Sequence, residues 1–139
     1  MKAVRRYNTG MWTFIHKLGS PPWFFGISGT LVRWLLPITV TLLLVGSIWG
    51  LLVAPPDFRQ GNSYRIIYIH VPAAVVALAG YYLMAFAGAV SLIWRIKMAD
   101  VTMRAAAPVG AVLTAIALVT GAIWGKPTWG TWWVWDARI

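Results

Sequence analysis

At 139 residues the chain has the length of one ordinary domain, but 60% of it is hydrophobic and only 11% charged, against roughly 45–50% and about 25% in soluble domains. Glu is absent and the acids are Asp57, Asp100 and Asp136, too few charges for a water-facing surface, so the composition indicates a membrane protein. The net charge of +9 does not signal nucleic acid, because the basic residues lie between apolar runs, as in membrane loops, rather than in one patch.

Residues 1–33 read as a basic arm with Lys2, Arg5, Arg6, Lys17 and Arg33. They lack the apolar core and small-residue site of a cleavable signal peptide. Within the arm, SPPWFFGISG predicts a turn and then an aromatic, surface-lying piece. The first predicted span is Trp34–Val53, twenty residues without a charge, enough for a hydrocarbon layer of roughly 30 Å. Pro37 falls in its first turn, where a missing N–H costs little. APPDFRQGNSYR is predicted to be a loop. The second span lies within Ile66–Trp94, about residues 68–94. Its start is expected to be extended or interfacial, since Pro72 disfavours a helical Val71. Ala73, Ala77, Gly80, Ala87 and Gly88 would let it pack closely. RIKMADVTMR is predicted to be a loop, Ala105–Trp124 the third span, and GKPT a turn. The fold class is therefore all-α, with a membrane domain over residues 34–124 and a short interfacial Trp-rich segment over 125–139.

Lys and Arg counts set the orientation. Five in the arm and three in residues 95–104 face two in the first loop (Arg59, Arg65) and two near the end (Lys126, Arg138). The N-terminus is expected to be cytoplasmic and the Trp-rich end to face outwards.

Few residues can carry chemistry. Cysteine is absent, which excludes disulfides and thiolate metal sites in this chain. There is no phosphate-binding glycine loop and no nucleophile–His–carboxylate set, so an enzyme is not expected. His16 lies in the arm and reads as solvated or interfacial. His70, in YIHVPAA at the outer end of span two, suits either an axial ligand for haem iron or a hydrogen bond to a neighbouring helix. Five of the ten Trp fall between Trp124 and Trp135, more than an aromatic belt needs. As a helix, Trp129, Trp132, Trp133 and Asp136 would share one face. That face would form a platform on which a flat conjugated ligand could stack. Arg59, Arg65, Lys126 and Arg138 could meet carboxylates of such a ligand, or lipid headgroups.

WGTWWVWDAR resembles the tryptophan-rich signature of the haem-handling membrane proteins of cytochrome c maturation. With GNSYRIIYIHVPAA and ALVTGAIWGKPTWGTWWVWDARI, the chain is similar from about Met11 to Ile139 to one branch, the maturation protein C or haem exporter protein C family. The larger haem–cytochrome c ligating branch fits less well, given the YIHVPAA setting and the motif after span three. The resemblance implies a six-span protein of the bacterial inner membrane. It implies haem b bound against the periplasmic motif (Trp129, Trp132, Trp133, Trp135, Asp136), with His70 as one axial ligand and a second His from a later loop. Arg65 or Arg138 would meet the propionates. The implied partners are the maturation proteins A and B of an ABC-type complex that hydrolyses ATP, the small protein D, the haem chaperone protein E, and membrane lipid. Ending at Ile139, the sequence is expected to be a fragment or truncated product. The implied function is presentation of haem to the periplasmic chaperone. The alternatives are a permease subunit of the export complex and a purely structural scaffold.

Overall fold

A computed structural model describes residue 10 and residues 20–135. Three long helices account for most of them: α1 (Pro21–Ile48), α2 (Ile67–Trp94) and α3 (Lys97–Trp129). A π turn, Trp49–Val53, continues α1, and a 3-10 turn, Asn62–Ile66, leads into α2. No β-strand occurs among the described residues. α1 and α2 with their turns, and α3 by itself, each make an apolar segment of 33 residues: Pro21–Val53, Asn62–Trp94 and Lys97–Trp129. At 1.5 Å per residue that is roughly 50 Å, more than the bilayer core requires. The sequence expectation of an all-α protein with three membrane helices therefore holds, with each helix longer than its predicted span.

The chain divides into two units, residues 1–40 and residues 41–139. In the first, α1 starts thirteen residues before the predicted span at Trp34. The turn expected in SPPWFFGISG is thus corrected: from Pro21 this stretch is the start of a helix. Pro21 sits at the first helical position, where its fixed φ suits the helix and its missing N–H costs nothing. The Phe24 N–H closes the first turn on the Ser20 carbonyl at 3.0 Å. Pro37 consequently lies in the helix interior. It cannot donate to the Arg33 carbonyl, a loss that membrane helices tolerate better than soluble ones.

In the second unit, α2 and α3 pack side by side. Their connection is two residues, Arg95 and Ile96, with Arg95 in the left-handed region at φ 52 and its N–H bonded to the Ser91 carbonyl. So short a link makes the helices antiparallel neighbours. Their contact is made of small residues. Ala73, Ala77 and Ala87 are buried, and Gly80 passes the backbone of Gly110 so closely that a Cβ there would lie 4.0 Å from the Gly110 Cα. Such stripes let backbones approach where lipid offers no hydrophobic drive between helices. The predicted loop over residues 95–104 shrinks because Lys97 onward is already helical, with an Asp100–Arg104 ion pair at 3.0 Å across one turn. Val71 is helical although Pro72 follows it. Pro72 falls early in α2, so its missing N–H removes one bond near the helix end and does not break the helix.

The link from the π turn to α2 is tied down at three places. Arg65 donates from Nε to the Ala54 carbonyl at 2.9 Å and from Nη1 to the Leu51 carbonyl at 3.2 Å, satisfying acceptors that a helix end leaves open. Gly50 lies against Tyr68, where an added Cβ would sit 2.7 Å from the Tyr68 Cβ. Asp57 accepts the N–H groups of Arg59 at 2.9 Å and Gln60 at 2.8 Å. These backbone donors, Gln60 first, hold its carboxyl below its usual 3.8. The result is a tight turn closed by paired backbone bonds between Asp57 and Gly61.

Candidate functional site

Because α2 and α3 are antiparallel, the start of α2 lies beside the end of α3. His70 there meets the α3 positions 117, 120, 121 and 124, one face by helical spacing. Its Nδ1 lies 3.0 Å from the Ala117 carbonyl oxygen and 3.1 Å from Thr120 Oγ1. Gly121 makes this approach possible, since a Cβ on it would stand 3.0 Å from His70 Cε1. Trp124 lies one turn further on, its ring 5.9 Å from the imidazole and tilted by 60°. The Trp124 indole N–H donates to Gln60 Oε1 at 2.8 Å, fastening the 57–61 turn to this wall.

Beyond Trp124 the chain turns back. GKPT is helical, in contrast to the turn predicted from its sequence, and α3 runs on to Trp129. Thr128 donates its hydroxyl to the Trp124 carbonyl at 2.8 Å. Gly130 then ends the helix in the left-handed region, φ 79, a conformation glycine takes without strain. Residues 131–135 are therefore not helical. The expected single helical face of Trp129, Trp132, Trp133 and Asp136 does not form, for Gly130 breaks it after its first member. Gly125 is buried beneath the returning chain. A Cβ there would press on Trp129 at 3.3 Å and on the Thr131 carbonyl at 3.4 Å.

The fold-back creates what the helical platform would not, a concave pocket of about 590 Å³. Its floor and walls are His70, Ala117, Leu118, Gly121, Ala122, Trp124 and Gly125, closed by Trp129, Thr131, Trp132, Trp133 and Val134. That volume lies within the range of small-molecule sites, roughly 300–1,000 Å³, and the lining is apolar with few polar groups, as such sites are. At the rim, Lys126 donates to the Gly130 carbonyl at 3.0 Å and holds its ammonium 6.0 Å from the centre of the Trp132 ring.

Of the residues expected from sequence, His70, Trp129, Trp132 and Trp133 meet in this pocket. Trp135 does not line it; it is 83% exposed and packs edge-on against Trp133, 5.5 Å between ring centres. Arg65 is not at the pocket either, being committed to the Leu51 and Ala54 carbonyls. Asp136, Arg138 and His16 lie outside the described residues. Sequence reasoning names Lys126 as a possible carboxylate partner but does not select Trp124, Thr120, Gly121, Gly125 or Gln60 as site residues. The three- and four-residue spacing of Ala117, Thr120, Gly121, Trp124 and Gly125 was the available signal, legible only once that face is known to oppose His70.

These features define a multi-span α-helical membrane protein with an indole-walled pocket and one histidine at the end of a helix pair. The family model described as Heme exporter protein C matches residues 14–139. A protein of that name from Escherichia coli (strain K12) is 54% identical over 129 residues, covering 93% of this chain and 53% of the relative. The protein of the same name from Haemophilus influenzae is 50% identical over 129 residues, 93% of this chain and 52% of its own. That from Paracoccus denitrificans is 42% identical over 125 residues, 90% and 52% respectively. The chain belongs to the Heme exporter protein C family, and it spans about half the length of the curated relatives it matches.

Proposed function

We propose that this chain is a haem-handling membrane subunit whose pocket holds haem as cargo and presents it for transfer during cytochrome c maturation. The observation that carries this reading is the pairing of one histidine with indole walls in a single pocket. The donor set fits the group. Indole faces suit a flat conjugated macrocycle. A neutral imidazole suits iron. Lys126 at the rim stands where a carboxylate edge could be met. Both ring hydrogen bonds of His70 among the described residues are made by Nδ1, so Nε2 is the atom that would bind the metal. Haem, when bound, would supply an iron centre able to take a nitrogen ligand. The chain would supply an apolar surface, an orientation and one nitrogen donor. The role read here is one of binding and presentation.

The finer reading is that haem b is the cargo and that it passes to a haem chaperone, protein E. The maturation proteins A, B and D would form the complex around this subunit, with ATP hydrolysed in the ABC-type pair. On the charge count, the N-terminus is cytoplasmic and the Trp-rich end faces outwards; the family resemblance adds a bacterial inner membrane and a periplasmic haem-binding motif over residues 125–139. Asp136 and Arg138 would belong to that motif.

Haem content and absorption spectrum of the full chain, purified from membranes, test the reading. His70→Ala is expected to lose most of the bound haem and to change the Soret band. An unchanged haem content and spectrum would remove His70 as a ligand.

A further inference from the structure

We propose that Thr120 is a positioning residue that, together with the Ala117 carbonyl, holds the His70 ring proton on Nδ1 and leaves Nε2 unprotonated. This inference rests on the haem-handling reading of the same pocket and adds a residue to it.

The argument begins at Nδ1, which has two oxygen neighbours, the Ala117 carbonyl at 3.0 Å and Thr120 Oγ1 at 3.1 Å. A carbonyl oxygen can only accept a hydrogen bond, so the proton sits on Nδ1. The Thr120 hydroxyl donates its own proton along the helix, to the Ile116 carbonyl at 2.7 Å or the Ala117 carbonyl at 3.2 Å. Its lone pairs are left to accept from Nδ1. The Ala117 carbonyl, in the helix interior, also serves the N–H four residues on. The Nδ1–H is therefore shared between two acceptors, and Thr120 supplies the one not already engaged in the helix ladder.

A neutral imidazole with its proton on Nδ1 carries its free lone pair on Nε2. Free histidine in water prefers the opposite tautomer, so the protein must impose this one. Metal-binding histidines commonly do so through a hydrogen bond from the second nitrogen, which orients the ring and raises its basicity. A threonine that merely back-bonds to its own helix would instead be neutral or slightly unfavourable in place. The two roles make different predictions for removal of the hydroxyl.

The experiment uses the full chain in detergent, with 15N-labelled histidine, as wild type, Thr120→Val and Thr120→Ser. His70 ring signals are assigned by their loss in His70→Gln. In the haem-free wild type, Nδ1 is expected to resonate as a protonated nitrogen and Nε2 as an unprotonated one. Thr120→Val should move the pair toward the opposite tautomer and lower retained haem about tenfold, and Thr120→Ser should restore both. Wild-type ring signals in Thr120→Val would overturn the proposal, as would a protonated Nε2 in the wild type. A Ser variant that behaves like Val with its helix content intact would also overturn it. Shifted signals with undiminished haem would sever the link to iron. If His70→Gln keeps wild-type haem, the haem-ligand reading fails separately, and the ring signals still decide the tautomer.

Discussion

Gly121→Ala places one methyl group at the closest contact in the pocket. Its Cβ would lie 3.0 Å from His70 Cε1, 3.5 Å from Nδ1 and 4.0 Å from Nε2. Carbon pairs settle at about 3.5–4.0 Å, so the ring must retreat by roughly 0.5 Å or more. Retreat lengthens the Nδ1 bonds, now 3.0 and 3.1 Å, toward about 3.5 Å, the limit of a useful hydrogen bond. The loss is about 1 kcal/mol for the bond, with an overpacking cost of about 1–3 kcal/mol if the ring cannot move. Against this, Ala favours a helix over Gly by about 1 kcal/mol. The propensity gain acts on folding alone, whereas the displaced ring acts on binding. Thermal stability of the haem-free protein should therefore change little, while retained haem falls about tenfold, the equivalent of about 1.4 kcal/mol. Gly110→Ala is the control, since its Cβ would meet only the flexible Met84 Cε at 3.6 Å. The assay is haem per protein and Soret position after purification. A Gly121→Ala protein with wild-type haem and spectrum would refute the argument that this glycine seats the imidazole.

Two further outcomes concern the tie between the π turn and α2. Gly50→Ala would put a Cβ 2.7 Å from both Cβ and Cγ of Tyr68, a clash that no side-chain rotation relieves. The expected cost is about 1–3 kcal/mol, read as a lower Tm in detergent, and a wild-type Tm would show the contact to be dispensable. The Asp57 carboxyl is held below 3.8 by the N–H groups of Gln60 and Arg59. Since its folded value is depressed, the turn gains from the carboxylate above the unfolded value and loses that gain as pH falls through the folded one. Amide protection factors at Arg59 and Gln60, with the intrinsic pH dependence of exchange divided out, should fall at pH below 3.8 and be lower at neutral pH in Asp57→Ala; a pH-independent protection factor in the wild type would contradict this.

Much of the architecture was legible because lipid simplifies the problem. Where no water can satisfy the backbone, a long uncharged run has to be helical, and composition suffices to find it. Helix ends were harder. Proline signals misled at Pro72 and Pro127, each inside a helix, because the local penalty is smaller than the gain from keeping an apolar segment hydrogen-bonded. The small-residue stripe at Ala73, Ala77 and Gly80 was visible as a packing surface, but its partner on α3 was not.

By itself the sequence determined the class of molecule, its three membrane helices, and the two ingredients of the candidate site, a histidine near the start of span two and a crowd of tryptophans after span three. Their chemistry is local to each residue and survives without coordinates. Only the tertiary structure decided how they combine. The antiparallel pairing brings Thr120, Gly121 and Trp124 against His70, and Gly130 turns the chain so that Trp132 and Trp133 close a pocket rather than extend a helical face. The same structure withdraws Arg65 from the site, because the carbonyls at the end of the π turn compete for its guanidinium. Contacts between residues 50 or more positions apart depend on which faces meet, and helix periodicity alone does not say which face finds which partner.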